Sequence, residues 1–300
     1  MLGPTASGKS EVALAVAEAV GAEIVSVDSM QVYRGMDIGT AKPTPEQQGR
    51  VRHHLIDVAD AANAFSADEF QRAGRAALAD LAARGVPALV VGGSGLHFRA
   101  LVDRLEFPPH DAEVRRAVEA MGPGEAAAAL LAADPAAGAC VDLGNPRRVA
   151  RALEVHRMTG LTPSARAGSE AAAAVRAYRP LLPVVAVGFD PGEALRGRAE
   201  VRLDAMLAAG LLEEVRRLAP VLGPTAGQAV GYKELAAVVR GEAALADGRG
   251  RTLAATWALA GRQRTFFRRD PRIRWQEWDD DPARRATAAR AVFEEAGWTS

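Results

Sequence analysis

The eight residues Gly3-Pro4-Thr5-Ala6-Ser7-Gly8-Lys9-Ser10 constrain this chain more than any other stretch. They satisfy G-x-x-x-x-G-K-[ST] and run straight into Glu11–Val20, where Val12, Leu14, Val16 and Val20 alternate with alanines that favour helix. Gly21 stands where a capping glycine belongs. A loop of this kind turns successive backbone N–H groups inward on an anion, and the positive end of the following helix adds to the attraction. Lys9 contributes a point charge and Ser10 a hydroxyl suited to Mg2+. Gly3 through Ser10 are therefore the candidate diphosphate- or nucleotide-binding residues, with Ser10 the candidate metal ligand. The loop recognises polyphosphate without reading a base, so the chemistry must be decided elsewhere. A strand should precede such a loop, and only Met1 and Leu2 do. The expectation is a late start, with native upstream residues rich in valine, isoleucine and leucine.

Strand and helix signals then alternate. Glu23–Val27 is a β-branched run of strand length, Ser66-Ala67-Asp68-Glu69 has the form of a capping box opening a helix that stops at Gly85, and Pro87–Val91 reads as a buried strand. Gly35, Gly39, Pro43 and Pro45 mark a loop between them. This order predicts a parallel sheet flanked by helices. From 111 to 180 the strand signals vanish, leaving helical stretches at Glu113–Ala120 and Glu125–Ala133. A further helix is announced by Asn145 and Pro146 and ends at Gly160. Strand character returns over Leu182–Phe189, two helical stretches follow with a break at Gly210, and Ile273-Arg274-Trp275 is a last strand candidate. The predicted organisation is an α/β core of residues 1–110 and 181–300, of the P-loop NTPase-like kind, with an all-helical insertion at 111–180.

Composition narrows the classes further. In a chain of 300 residues, 49% hydrophobic and 25% charged content matches a globular protein and excludes collagen-like, coiled-coil and disordered classes. No run approaches the ~18 apolar residues a membrane helix needs, and nothing reads as a signal peptide, so a cytoplasmic protein is expected. Cys140 is the single cysteine, which removes any intrachain disulfide. The five histidines show no i, i+4 pair, which argues against a structural zinc site. With 37 basic and 37 acidic residues, attraction to a polyanion must come from local clusters.

Asp28 ends the first strand, where ligands of open α/β sheets bind. There a carboxylate can hold magnesium, act as a general base, or simply cap a loop. The residues around it form an ordered set: Ser26-Val27-Asp28-Ser29-Met30-Gln31-Val32-Tyr33-Arg34-Gly35-Met36-Asp37-Ile38-Gly39-Thr40-Ala41-Lys42-Pro43, then His54-Leu55-Ile56-Asp57, Gly92-Gly93-Ser94, and Asn145-Pro146-Arg147-Arg148 through Arg151 to Val155. Arg198 to Met206, Ala229-Val230-Gly231-Tyr232-Lys233-Glu234, and Arg262-Gln263 with Thr265 complete it. Together with the phosphate loop, these blocks resemble the bacterial tRNA dimethylallyltransferase (isopentenyltransferase) family over nearly the whole chain.

The resemblance implies transfer of a dimethylallyl group from dimethylallyl diphosphate to N6 of an adenosine beside the tRNA anticodon. The phosphate loop then holds a leaving group, and the bond broken is carbon to oxygen. Asp28, Ser94 and Arg202 are the implied catalytic residues: Asp28 takes the amine proton, while Lys9, Ser10 with Mg2+, Ser94 and Arg202 meet charge on the departing diphosphate, as chemistry with a poor nucleophile requires. Arg198 joins the diphosphate set. Asp28, Ser29, Met30, Gln31, Ser94, Arg115, Arg147, Arg148 and Arg151 are the implied tRNA contacts, with the insertion gripping the anticodon stem and the adenosine leaving its stack. Ser94 stands where the family usually has threonine, and His97 where it usually has tyrosine. A serine keeps the hydroxyl but loses the methyl that fixes its rotamer. Gly261 and Trp257 replace residues that are commonly basic, and the eukaryotic zinc finger has no counterpart.

Arg147, Arg148 and Arg151 fall on one side of their helix, opposite Val149, Leu153 and His156. Arg262, Arg264, Arg268, Arg269, Arg272 and Arg274 crowd a segment whose one acid is Asp270. Both clusters read as phosphate-contacting surfaces beside the plainer possibility of a solvated face. Phe266 and Phe267 read as core. Three rivals remain: a kinase for a small metabolite, an isopentenyltransferase acting on free adenine nucleotides, and an RNA-binding module with a vestigial loop. ATP turnover without tRNA, activity on AMP, and indifference to replacement of Asp28 would distinguish them respectively.

Overall fold

The computed structural model describes residues 1–298. The alanine-rich stretch behind the loop forms α1 (Lys9–Val20), and Gly21 ends it in the left-handed conformation at φ 66°, its amide bonded to the Ala17 carbonyl. The chain continues through β1 (Glu23–Ser26), α2 (Pro45–Arg50), β2 (His53–His54), α3 (Ala67–Ala83), β3 (Ala88–Val91) and α4 (Gly95–Val102). The box at Ser66 forms as expected: its Oγ accepts from the Glu69 amide at 3.2 Å, and its own amide donates to Glu69 Oε2 at 2.7 Å. Helix α2 departs from the sequence reading, in which Pro45 is a breaker. Pro45 occupies the first helical position, where its fixed φ suits the helix, and Thr44 and Gln47 close a second capping box.

Next come α5 (Ala112–Ala120), α6 (Gly122–Ala133), α7 (Pro146–Thr159), α8 (Pro163–Ala167) and α9 (Glu170–Arg176). Asn145 caps α7 through its side chain, and Gly160 closes it at φ 71°. Val118, Ala126, Leu130, Val149 and Leu153 form a core belonging to these helices alone. The chain divides into two compact units, one of Met1–Leu101 with everything from Pro183 onward, the other Val102–Leu182. The helical unit therefore begins earlier than 111. Leu181 donates its amide to Val102 O at 2.6 Å, Arg151 reaches Pro108 O at 2.8 Å, and His110 Nδ1 lies 2.7 Å from Glu154 Oε1, which ties residues 102–110 to the helices.

The first unit resumes with β4 (Ala186–Phe189), α10 (Leu195–Ala208), α11 (Leu211–Leu218), α12 (Tyr232–Val239), α13 (Leu245–Arg268), β5 (Ile273–Gln276) and α14 (Pro282–Glu295). Strand β4 is shorter than the predicted Leu182–Phe189, because Pro183 has no amide to give a ladder. The pairings between these strands are parallel: β1 lies between β2 and β3, with Ile24 opposite both His53 and Leu89, while β4 pairs with β5, Ala186 opposite Ile273.

Leu2 joins the two sheets. It bridges to Gly92 just past β3 and to Gly188 in β4, donating to Val187 O at 2.8 Å and accepting from the Phe189 amide at 3.1 Å. Met1 and Leu2, both buried, stand where a central strand would run. Gly3 follows so closely that a Cβ there would lie 2.4 Å from Phe189 O. Beneath, Val12 and Val16 of α1, Leu89, Val187, Phe189 and Phe293 of α14 share one core. Truncating a side chain such as Phe189 to alanine should cost ~3–5 kcal/mol.

Candidate active site

The phosphate loop is shaped by two left-handed residues, Ala6 at φ 61° and Gly8 at φ 68°. Alternation of this kind aims backbone amides into one concavity. Side chains from distant segments fix the rest. Gln263 of α13 accepts from the Thr5 amide at 2.8 Å, Arg202 of α10 donates to Thr5 Oγ1 at 3.2 Å, and Lys9 Nζ reaches back to Pro4 O at 3.3 Å. Burial, with Arg202 adding, lowers Lys9 to about 8, against an opposing pull from Asp28. Arg198 donates to Ala6 O at 2.9 Å.

Asp28 leaves the carboxyl end of β1. Its Oδ1 accepts from the amides of Met30 at 2.8 Å and Gln31 at 3.4 Å, which fixes the carboxylate through a local Asx turn. Gln31 accepts from Ser26 Oγ at 2.9 Å and donates to the carbonyls of Thr40 and Ala41, so its amide is engaged within the fold. Ser94 follows β3, with its amide on Val27 O at 3.1 Å. Its Oγ lies 2.6 Å from His97 Nδ1. Burial lowers His97 to about 4, Asp28 opposing, and the ring stands edge-on to Phe70 at 4.2 Å between centroids. A neutral imidazole thus fixes the hydroxyl that lacks a neighbouring methyl.

A cavity of about 190 Å3 opens between these elements. Its lining combines polar side chains, among them Thr5, Lys9, Ser10, Asp28, Gln31, Arg202 and Gln263, with apolar ones, among them Met30, Leu203, Met206, Leu211, Val230 and Leu259. Gly3, Pro4, Ser7, Gly8, Ser29, Ser94 and Arg198 do not line it. Among the described residues no three His, Cys, Asp or Glu side chains gather as metal ligands, while Ser10 lines the cavity at the first turn of α1. That donor set fits Mg2+ held largely by phosphate oxygens and its own waters, not by a protein cage.

Sequence reasoning missed the apolar wall, because Leu203, Met206 and Leu259 are ordinary core residues by pattern. It also missed Glu214 on α11. This buried carboxylate accepts from the amides of Asp37, Ile38 and Gly39 at 2.9 to 3.0 Å and from Tyr232 Oη at 2.5 Å. Burial and Glu214 push the Tyr232 phenol far up. Gly39 is glycine because a Cβ would lie 2.4 Å from the Tyr232 ring. One glutamate therefore braces the loop whose next residues, Thr40 and Ala41, form cavity wall.

The expected basic stripe at 262–274 is largely cancelled. Arg264 and Arg268 share Asp190, at 2.6 and 3.3 Å, Arg272 pairs with Asp270 at 2.6 Å, and Arg274 with Glu295 at 2.9 Å. Asp190 and Glu295 arrive from other segments, which a linear charge count cannot show. Phe267 is buried as expected, whereas Phe266 is 38% exposed and covers Gly95. In the helical unit Arg115 pairs with Glu119 and Arg148 with Asp142, both at the surface. Arg151 is held by the buried Glu154 at 2.8 Å, so its first role is internal. Arg147 is exposed, with no acid partner among the described residues.

The phosphate loop, the Asp28 carboxylate and a set of apolar side chains thus line a single cavity. A profile of the IPP transferase family matches residues 31–270. The tRNA dimethylallyltransferase of Bifidobacterium adolescentis is 44% identical over 285 residues, covering 92% of this chain and 82% of that protein. The Streptomyces avermitilis enzyme of the same name is 44% identical over 283 residues, covering 92% and 88%. The solved tRNA isopentenylpyrophosphate transferase of Bacillus halodurans superposes with a TM-score of 0.68 at 31% identity, over 98% of this chain and 95% of that one. A eukaryotic dimethylallyltransferase solved acting on tRNA gives 0.78 at 23% identity, over 98% and 78%, a likeness of fold. This chain belongs to the IPP transferase family.

Proposed function

We propose that this protein is a cytoplasmic tRNA dimethylallyltransferase. It moves the dimethylallyl group from dimethylallyl diphosphate to N6 of adenosine 37, next to the anticodon, in tRNAs reading codons that begin with U. The products are N6-(dimethylallyl)adenosine and diphosphate. The observation that carries this reading is one cavity lined both by Lys9 and Arg202 beside the phosphate loop and by the apolar Leu203, Met206 and Leu259. A nucleotide kinase would need a nucleoside pocket and has little use for an apolar wall beside its phosphate loop. We read the parallel sheet and its loop as P-loop NTPase-like, with the loop serving a leaving group.

The loop amides and Lys9 receive the diphosphate, and Arg202 adds charge as the carbon–oxygen bond breaks. The N6 nitrogen bonds to the freed carbon and loses a proton to Asp28, whose position the Met30 and Gln31 amides hold. Ser94, held by His97, supplies a hydroxyl at the neighbouring strand end. Ser10 would hold Mg2+, which when bound neutralises charge on the diphosphate. The helical unit Val102–Leu182 supplies tRNA contacts through exposed Arg147 and Arg148. Among the described residues no helix is long and apolar enough to cross a membrane.

The test is incubation with labelled dimethylallyl diphosphate and total tRNA, followed by nucleoside analysis, with AMP and ATP in parallel. Label in N6-modified adenosine is expected, and Asp28→Asn should lose ~10²- to 10⁴-fold in turnover at unchanged tRNA affinity. Label on AMP alone, or wild-type turnover in that variant, would overturn the reading.

A further inference from the structure

We propose that Arg285, together with Arg198 and the Trp278 ring they share, positions the phosphate loop from its outer side and so sets its affinity for the donor's diphosphate. This rests on the reading that the diphosphate sits on that loop. Neither arginine lines the cavity, and nor does Trp278. Arg285 comes from α14 and is only 2% exposed; its Nη1 donates to Ser7 O at 3.0 Å. Arg198 donates to Ala6 O at 2.9 Å. Both guanidinium carbons lie over the indole of Trp278, at 4.4 Å for Arg285 and 4.9 Å for Arg198. Two consecutive loop carbonyls are therefore held by one stacked assembly.

The consequence follows from the planar trans peptide, whose carbonyl and amide point in opposite directions. Holding the Ser7 carbonyl outward turns the Gly8 amide the other way, toward the concave side. Ala6 adopts a left-handed φ of 61° without being glycine, a conformation that persists only where the surroundings impose it. Arg198 on its carbonyl is such a constraint. The fit is tight: a Cβ on Gly8 would lie 2.6 Å from Arg285 Nη1 and 3.0 Å from Arg198 Nη2. Charge points the same way. Neither guanidinium has a carboxylate within ion-pair distance among the described residues, and Arg285 Nε is buried without a partner. Glu11, Asp279 and Asp280 act on Arg285 only from beyond ion-pair distance, so the two guanidinium groups still add positive potential behind the loop's anion-accepting face.

Inorganic pyrophosphate is the probe, measured by calorimetry on the full chain beside steady-state kinetics with dimethylallyl diphosphate and tRNA. Arg285→Ala should weaken pyrophosphate at least tenfold and raise the donor KM by a similar factor, with the tRNA KM unchanged. Arg285→Lys should recover part of the loss, because an ammonium can still reach the Ser7 carbonyl. If Arg285→Ala does not fold, Arg198→Ala and Trp278→Leu carry the comparison, with the same split between donor and tRNA expected. Wild-type pyrophosphate affinity in these variants, with only the melting temperature lowered, would make the assembly mere packing and overturn the proposal. Failure of the unaltered protein to bind pyrophosphate would instead overturn the underlying reading of the loop.

Discussion

The arginines gathered around the phosphate loop and those of the 262–274 segment belong to the same unit, yet their charges meet opposite fates. Arg198, Arg202 and Arg285 bond to carbonyl or hydroxyl oxygens of the loop and have no acid within ion-pair distance among the described residues. Arg264, Arg268, Arg272 and Arg274 are each matched by an aspartate or glutamate. The sparse group is turned on the loop without ion pairing, and four of the six arginines in the dense group are spent on ion pairs within the fold. Local density of arginine in a sequence is thus a poor guide to how much positive charge a segment leaves unpaired.

The sharpest test of this contrast is Arg202→Ala. Losing a preorganised donor should reduce donor-dependent turnover by ~10²- to 10³-fold, read by steady-state kinetics. A comparable loss of tRNA affinity would mean that the two groups are not functionally separate. Protons offer a second route. Lys9 is charged below about 8 and neutral above it, so the loop loses a cation as pH rises through that value. Pyrophosphate affinity should therefore fall above pH 8, approaching about tenfold per unit for one coupled proton, with proton uptake on binding seen by calorimetry in different buffers. A flat profile from pH 7 to 10 would remove Lys9 from the anion's surroundings.

Smaller effects probe the matched arginines and the helical unit. Replacing Arg147 and Arg148 by alanine should each flatten the log–log salt dependence of tRNA binding by about one unit. An unchanged slope in the double variant would return that surface to plain solvation. Smallest of all, Arg268→Ala and Arg274→Ala break exposed ion pairs and should alter stability by ~0.2–1 kcal/mol in denaturant titrations, with no change in salt slope. A steeper penalty, or a lost tRNA contact, would show that the 262–274 run is not neutralised after all.

Much of the frame was legible because its signals are local. Gly21, Ser66, Asn145, Pro146 and Gly160 end or begin helices through contacts within a few residues, and each does so in the structure. Asp28, Lys9 and Arg202 were legible as motif members, and they do share one cavity. Glu214, Gln263, Trp278 and Arg285 were not read as functional, since each acts on a segment far away in sequence. Pro45 misled because proline reads as a breaker until a cap before it makes it a helix start. The partner of Arg151 was equally illegible: a helical wheel places the arginine outward and gives no sign that buried Glu154 pairs with it.

Leu2 has a consequence for how this unit comes apart. The β2-β1-β3 and β4-β5 sheets are stitched through two residues: Met1 bonds to Val90 O and accepts from the Gly92 amide, and Leu2 bonds to Val187 O and accepts from the Phe189 amide. Unfolding cooperativity between them must pass through this seam and the core beneath it. With the Leu2 amide replaced by proline, the bond to Val187 O is gone, and the two sheets could exchange their amide hydrogens with solvent at different rates. The loop hangs directly from that seam, so the alignment of its amides depends on two sheets remaining one mechanical body.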